Sequence, residues 1–400
     1  MSRVLIAGGG LNGTALAIAL RQGGLEPVLI DPVPAPDRGA PFDGRSYALA
    51  HANVRMLRAL GVWDALEDGA QPILRIVVAD GRPGTGARGP VLTFDHAEIA
   101  EGPMGWMVED RRLRPALSDA AEGIEAHASP VAEQSEGPSG VAVTLGDGTR
   151  LEGAALVGAD GRASGVAGRA GIAHAVTEYG QWSLTCALST ERDHEGTAWQ
   201  VFYPEGPLAV LPLTERRVGV VWTQSAAEGR RIDALPDEAY LQALHPVIGD
   251  YLGAFALTGA RGAFPLVRSV ARDLARGRTA LLGDAAHAVH PVAGQGLNAG
   301  LKDAATLAEV MTDARRRGQD PGAPDVLAAY ARWRRFDAAS LAVATDGFAR
   351  LFSNDDPLLG GFRRAGLGLV AKVPALRRAF IREAAGLTGD LPRLLRGRPL

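Results

Sequence analysis

Val4-Leu-Ile-Ala7-Gly8-Gly-Gly10-Leu-Asn-Gly13 is the stretch on which the fold turns. A short unbroken apolar run is expected of a parallel strand buried on both faces. The glycines that follow have the G-x-G-x-x-G spacing. Gly8 permits a tight turn, Gly10 lets a pyrophosphate approach the backbone, and Gly13 lets a helix pack closely on the strand. Helical residues run from about Leu11 to Gln22 and stop at Gly23-Gly24. A second buried strand, Val28-Leu-Ile30, ends at Asp31, eighteen residues past Gly13 and placed to accept hydrogen bonds from a ribose. Strand, helix, strand and terminal acid are in register, so the unit reads as a dinucleotide-binding βαβ. The motif alone does not separate FAD from NAD.

Working outward, Ala35–Gly44 is rich in Pro, Gly and Asp and reads as loop, and helical periodicity resumes over Ala48–Leu60. Val141–Leu145 and Arg150–Leu156 flank Gly146-Asp-Gly148, a hairpin signal. Between 182 and 223, strand-like runs alternate with turns: Leu184–Leu188, Trp199–Tyr203, Leu208–Leu213 and Val218–Trp222. Thr279–Leu282 is another buried strand, and the chain is then helical to its end. The predicted nucleotide-binding domain is therefore discontinuous, with a sheet domain inserted. The boundaries expected are 1–70, 101–175 and 278–345 for the first domain, 71–100 and 176–277 for the second, and 346–400 for a C-terminal helical segment.

Composition excludes several classes. A net charge of −3 gives no reason to expect nucleic-acid binding. One cysteine, Cys186, rules out an internal disulfide or a multi-cysteine metal site, and its apolar setting reads as inert core. His51, His96, His127, His174, His194 and His245 show no metal-ligand spacing, so no metal is expected. The apolar run after Arg3 is broken by three glycines and reads as a strand rather than a signal peptide. No segment carries the roughly 20 apolar residues of a transmembrane helix.

Two further runs separate the cofactors. Arg278-Thr-Ala-Leu-Leu-Gly283-Asp284-Ala-Ala-His287 leads into His290-Pro-Val-Ala-Gly294-Gln-Gly296-Leu-Asn298. A strand ending at Gly283 lets Asp284 point at a polyol hydroxyl, and FAD has a ribityl chain where NAD has none. The helix expected from about Leu297 to Arg316 would aim its positive end at the flavin N1–C2=O edge, an effect of about 0.3–2 kcal/mol. Leu156-Val-Gly158-Ala-Asp160-Gly161-Arg-Ala-Ser164 again ends an apolar strand, where Asp160 and Gly161 could serve FAD and a reduced nicotinamide together.

These three runs, in this order, resemble the dinucleotide, DG and GD motifs of group A FAD-dependent aromatic hydroxylases. Gly44-Arg45-Ser-Tyr-Ala-Leu49, Leu57-Arg-Ala-Leu-Gly-Val-Trp63, Val108-Glu-Asp-Arg111-Arg-Leu113, Gly206–Leu213 with Val221-Trp222, Phe264-Pro-Leu266 and Leu351–Asp355 resemble the ubiquinone-biosynthesis branch. The resemblance implies an α/β fold: a Rossmann-like FAD-binding domain, an inserted, mostly antiparallel β-sheet substrate domain, and C-terminal helices. It implies that Arg45 and Arg111 contact the FAD phosphates or ribityl chain. Pro291, Gly294, Gln295, Gly296, Leu297 and Asn298 would lie against the isoalloxazine. Two positions depart from the pattern: Ala167, where the DG motif usually supplies an arginine (Arg169 is nearby), and His51, where a serine is expected and helix packing is the role read.

The activity implied is hydroxylation of the aromatic ring of a polyprenylated phenol, through a flavin C4a-hydroperoxide formed with O2. Electrons would come from NAD(P)H or a partner reductase. The catalytic residues are unknown from sequence. Two alternatives stand beside this: a prenyl-chain reductase or epoxidase on the same scaffold, and a non-catalytic flavoprotein subunit of a biosynthetic complex. Leu208–Leu213 holds no Arg or Lys to clamp a carboxylate, and Phe202, Tyr203, Leu211 and Trp222 are the candidate apolar pocket. From 357 to 400, nine basic residues face two acidic ones among interleaved apolar residues. That pattern suits either an anionic membrane surface, a partner in a complex, or a solvated helix face. The expected location is cytoplasmic, with the tail suited to a peripheral position at the membrane's inner face.

Overall fold

The computed structural model describes residues 2–33, 40–82, 86–87, 92–288, 295–335 and 373–400. The opening apolar run forms the strand Arg3–Ala7, flanked in parallel by Glu26–Ile30 and Ala155–Gly158. Thr279–Leu281 and Glu125–His127 extend this sheet in parallel, and Ala275–Arg276 adds an antiparallel edge. The central strands are buried because both faces are covered. Leu11–Gln22 packs beside Gln295–Arg316 on one face, closely enough that a Cβ on Gly23 would lie 2.0 Å from Thr312 Oγ1. A meander of Val131–Gly137, Gly140–Leu145 and Arg150–Gly153 adds Val141, Val143, Leu145 and Leu151 to the same core.

The second sheet is nine-stranded and mostly antiparallel. His174–Thr190, Arg217–Ser225, Gly206–Leu213 and Thr197–Tyr203 form its middle, with Phe255–Ala271 outside the first of these. The pairing of Thr197–Tyr203 with Arg75–Arg82 is parallel. Helices Ala226–Asp233 and Asp237–Ile248 cover one face, over a core of Leu184, Cys186, Leu208, Val220, Trp222, Tyr240 and Leu244. The other face turns Ala187, Ala198, Leu211 and Leu213 toward Ile73, Met104, Met107 and Ile381. A small sheet of Ser46–Ala50, Gly105–Glu109 and Gln71–Ile73 lies between the two large ones.

Three boundaries differ from the sequence reading. The helix expected from Ala48 begins at His51, because Ser46–Ala50 pairs with Gly105–Glu109 and tertiary pairing overrides the helical preference of Ala and Leu. The run Arg150–Leu156 divides at Ala154, one piece joining the meander and the other the parallel sheet. After Gly283–Ala285, His287–Ala288 is a short strand pairing with Ser269 and Val270, which ties the parallel sheet to the antiparallel one. Of the C-terminal segment, Pro374–Ala384 is helical and docks by Ile381. The Leu351–Asp355 run lies outside the described residues.

His51 packs as expected, buried with Nδ1 3.0 Å from the Pro103 carbonyl and its ring near Trp106. Cys186 is core, its thiol pushed up to about 11 by burial.

Candidate cofactor site

The glycine turn sits at the carboxyl end of Arg3–Ala7. Gly8 has φ +112°, and a Cβ there would lie 2.2 Å from the Ala159 carbonyl oxygen; one on Gly13 would lie 1.9 Å from that of Gly8. Both positions demand glycine, because helix and strands approach to backbone contact. A Cβ on Gly10 would meet nothing within 4 Å. Gly10 caps the helix without a side-chain bond, so the first-turn N–H groups and the positive end of the dipole face open space.

That space is a cavity of about 640 Å³, lined by Gly9, Gly10, Asp31, Asp43, Arg45, Asp110, Arg111, Arg114 and His127 among others. Asp31 Oδ2 accepts from the Gly9 amide at 2.5 Å and Oδ1 from the Val33 amide at 2.7 Å. The carboxylate thus stiffens the glycine turn and still lines the cavity. Arg45 donates to Asp43 at 2.6 Å, and Arg111 donates to Glu109 at 2.6 Å. Tyr47 donates to Asp110 at 2.8 Å, and burial with that neighbouring carboxylate pushes its phenol up to about 12. Glycine cradle, acid at the end of the second strand, free helix N-terminus and arginines together suit the adenosine and pyrophosphate of FAD.

The DG run meets this site through its backbone. Asp160 accepts from the Ser164 hydroxyl at 2.6 Å and from the Val166 amide at 3.1 Å, so its carboxylate fastens the turn into Gly165–Arg169. Gly161 has φ +79°. Ala167 is buried in that short helix, and Arg169 donates to Gln134 at 3.2 Å.

In the GD run, Asp284 is exposed and has no hydrogen-bond partner among the described residues. Its turn is held from behind by a network the sequence reading missed. Asp303, fully buried, accepts from the Gly283 amide at 3.0 Å and from Arg334 Nε at 2.7 Å, and lies 2.7 Å from His287 Nε2. Burial alone would raise the Asp303 pKa, but His287 and Arg334 overcome it and hold the carboxyl down to about 2. For His287, burial opposes protonation, yet Asp303 raises its pKa above the ordinary value. The available signal was a lone acid inside the apolar helix face Leu301–Ala308.

Gly296 and Leu297 lie in the first turn of Gln295–Arg316, where the expected helix N-terminus forms. Pro291 and Gly294 lie outside the described residues, as does the side chain of Gln295. Asn298 is buried: Oδ1 accepts from the Ala50 amide at 2.8 Å and from Asn53 Nδ2 at 2.7 Å, and Nδ2 donates to the Ala48 carbonyl at 2.7 Å. Its side chain pins the helix start to the small sheet.

The four pocket candidates do not share a surface. Successive strand residues point to opposite faces. Tyr203 and Trp222 lie in the helix-covered core; Tyr203 donates to the Val247 carbonyl at 2.5 Å, and Trp222 meets Tyr240 edge-on at 6.2 Å. Phe202 alternates with Tyr203, and Leu211 belongs to the apolar cluster on the other face, with Met104 and Met107.

The tail is also bonded inward. Arg377 donates to Glu98 at 3.0 Å, Arg382 pairs with Glu101, and Arg393 with Glu309 and Asp313, while Arg396 pairs within the tail with Asp390. Arg378 and Arg398 are exposed. Among the described residues, no helix is long and apolar enough to cross a membrane.

A parallel sheet with this glycine cradle, joined to a large antiparallel sheet, is the architecture typical of FAD-dependent monooxygenases, the class to which likeness to known proteins assigns the chain. The FAD binding domain family model matches residues 1–344. The p-nitrophenol 4-monooxygenase PnpA of Pseudomonas putida superposes with a TM-score of 0.79 at 20% identity, covering 97% of this chain and 98% of that one. In sequence, the chain is 42% identical to the ubiquinone hydroxylase UbiL of Rhodospirillum rubrum, over 99% of this chain and 93% of that protein. It is 33% identical to the 3-demethoxyubiquinol 3-hydroxylase of Escherichia coli, over 96% of this chain and 99% of that one. The chain belongs to the ubiquinone hydroxylase family of FAD-binding monooxygenases.

Proposed function

We propose that this protein hydroxylates the aromatic ring of a polyprenylated phenol in ubiquinone biosynthesis. The observation that carries the reading is the end-to-end likeness to a ubiquinone hydroxylase at 42% identity. When bound and reduced, the flavin would activate O2, of which one atom goes to the ring and the other leaves as water; the two electrons would come from NAD(P)H or a partner reductase. The chain's own residues bind, orient and exclude water. Amides at the start of Leu11–Gln22, with Arg45 and Arg111, would hold the pyrophosphate, Asp31 the ribose and Asp284 the ribityl hydroxyls. The Gln295–Arg316 N-terminus would favour negative charge at the flavin's pyrimidine edge. Leu211, partly buried on the sheet face away from the two helices, would contact the substrate and help keep water from the ring chemistry. In this reading the basic tail brings the enzyme to lipid-borne substrate at the cytoplasmic membrane face.

The test is reconstitution. Purified protein should take up FAD, and with a reductant, O2 and a polyprenyl phenol should yield a product that has gained one ring oxygen by mass spectrometry. Asp284→Ala should bind FAD roughly tenfold to a hundredfold more weakly, the range for losing hydrogen bonds to a charged group. A folded wild type that cannot be loaded with FAD, or a product altered in the prenyl chain instead of the ring, would overturn the proposal.

A further inference from the structure

The arginine wall of the cavity is electrically balanced by its own partners. Arg45 bonds Asp43 at 2.6 Å and approaches Asp110 at 3.2 Å, Arg114 bonds Asp110 at 2.8 Å, and Arg111 bonds Glu109 at 2.6 Å. Three guanidiniums facing three carboxylates leave no net charge to hold a pyrophosphate.

Arg217 breaks the balance from behind. It opens a strand of the antiparallel sheet, lies outside the cavity and is only 7% exposed, with Nη2 2.7 Å from Glu109 Oε1. Glu109 is buried as well, so its two oxygens are divided between Arg111 and Arg217. The Arg217 guanidinium lies over the Phe42 ring at 4.5 Å, with Arg111 at 5.5 Å from the same ring. The loop carrying Phe42 and Asp43 is itself hung on the antiparallel sheet, the Ala260 amide donating to the Asp43 carbonyl at 3.0 Å. Arg217 follows a hairpin turn in which Glu215 and Arg216 have φ of 63° and 52°, a conformation rare for side-chain-bearing residues. Glu215 also reaches Arg217, at 3.3 Å, but is 75% exposed and so screened by solvent.

We propose that Arg217 is a positioning residue for the cofactor: by neutralising Glu109, it frees the charge of Arg111 for the pyrophosphate. A residue of the substrate sheet thereby sets the affinity of a site it does not touch. This rests on the FAD reading above.

The experiment is titration of apoprotein with FAD, followed by flavin fluorescence. Arg217→Gln should weaken binding about tenfold, the ratio that one charge-assisted hydrogen bond corresponds to. Arg217→Lys, which keeps the charge, should stay within about threefold of wild type on the same scale. The double variant E109Q/R217Q should regain most of the lost affinity, since removing the carboxylate restores the balance. A purely structural bridge predicts the opposite, and a double variant no tighter than Arg217→Gln would overturn the proposal, as would wild-type affinity in Arg217→Gln itself. Should Arg217→Gln fail to fold, Glu109→Gln alone decides: tighter FAD binding supports the proposal and unchanged or weaker binding overturns it. Failure of wild type to take up FAD would sink the flavoenzyme reading instead.

Discussion

The parallel and antiparallel sheets place their chemistry by different rules. In the parallel sheet both faces are core, and the candidate cofactor groups collect where strands end: Gly8 after Ala7, Asp31 after Ile30, Asp160 near Gly158, Asp284 near Leu281. In the antiparallel sheet they are sorted by face, Trp222 and Tyr203 to the helices, Leu211 to the inner side. Position along the chain is enough to pick out a candidate in the first sheet. In the second, odd or even position decides it.

The difference can be broken most forcefully at Asp303, the buried acid behind the strand end at Gly283. Asp303→Asn should cost about 3–5 kcal/mol in denaturant unfolding, the usual result of stranding one partner of a buried ion pair. Its depressed pKa gives stability that is present above the ordinary carboxylate value and lost as pH falls toward about 2. Wild type should therefore lose stability across that acid window and Asp303→Asn should lose less of it. The raised pKa of His287 acts in the other direction, its contribution fading as pH rises past the folded-state value. Equal acid sensitivity in both proteins would show that the network does not carry the strand end.

The rule of faces is sharpened by a paired substitution. Trp222→Ala should cost roughly 3–5 kcal/mol of stability, as large-to-small core changes do, with little change in KM among molecules that remain folded. Leu211→Ala should raise KM for an apolar phenol and destabilise less, because Leu211 is only partly buried. Stability curves with steady-state kinetics separate the two, and a KM change following Trp222 would reverse the assignment.

The smallest effect belongs to the tail. With Arg377 and Arg382 bonded to Glu98 and Glu101, replacing Arg378 and Arg398 by Gln should weaken binding to anionic vesicles by at most about 1 kcal/mol per residue, and less as salt rises. Sedimentation with vesicles checks this; equal, salt-insensitive binding of both proteins would remove the membrane from the tail's role.

The glycine turn was legible because Gly8 and Gly13 each answer to a backbone collision, and such collisions have fixed spacing, while Gly10 leaves open space before the helix start. Asn298 and Asp160 were singled out by their motifs, yet their side chains bond Ala48, Ala50 and Asn53, or Ser164 and Val166. A motif gives a position but not the partner that position will find. Tyr203 and Phe202 were grouped as neighbours in sequence, although a pleated strand must separate them. The Glu109–Arg217 pair left no local trace, since its partners are 108 residues apart and meet only after two sheets have docked.

The strand order also governs when the molecule can be finished. Arg3–Ala7 is made well before its neighbour Ala155–Gly158, and Thr279–Leu281 follows later still. At about 5–20 residues per second of synthesis, the opening apolar strand waits roughly 15–55 seconds for the sheet to close. Meanwhile the antiparallel strands from 174 to 225, joined by short turns, can pair as they emerge. The glycine cradle is translated long before Ala159, which closes on it, so until then Val4–Ala7 has one flank paired with Glu26–Ile30 and the other still to be protected from foreign partners.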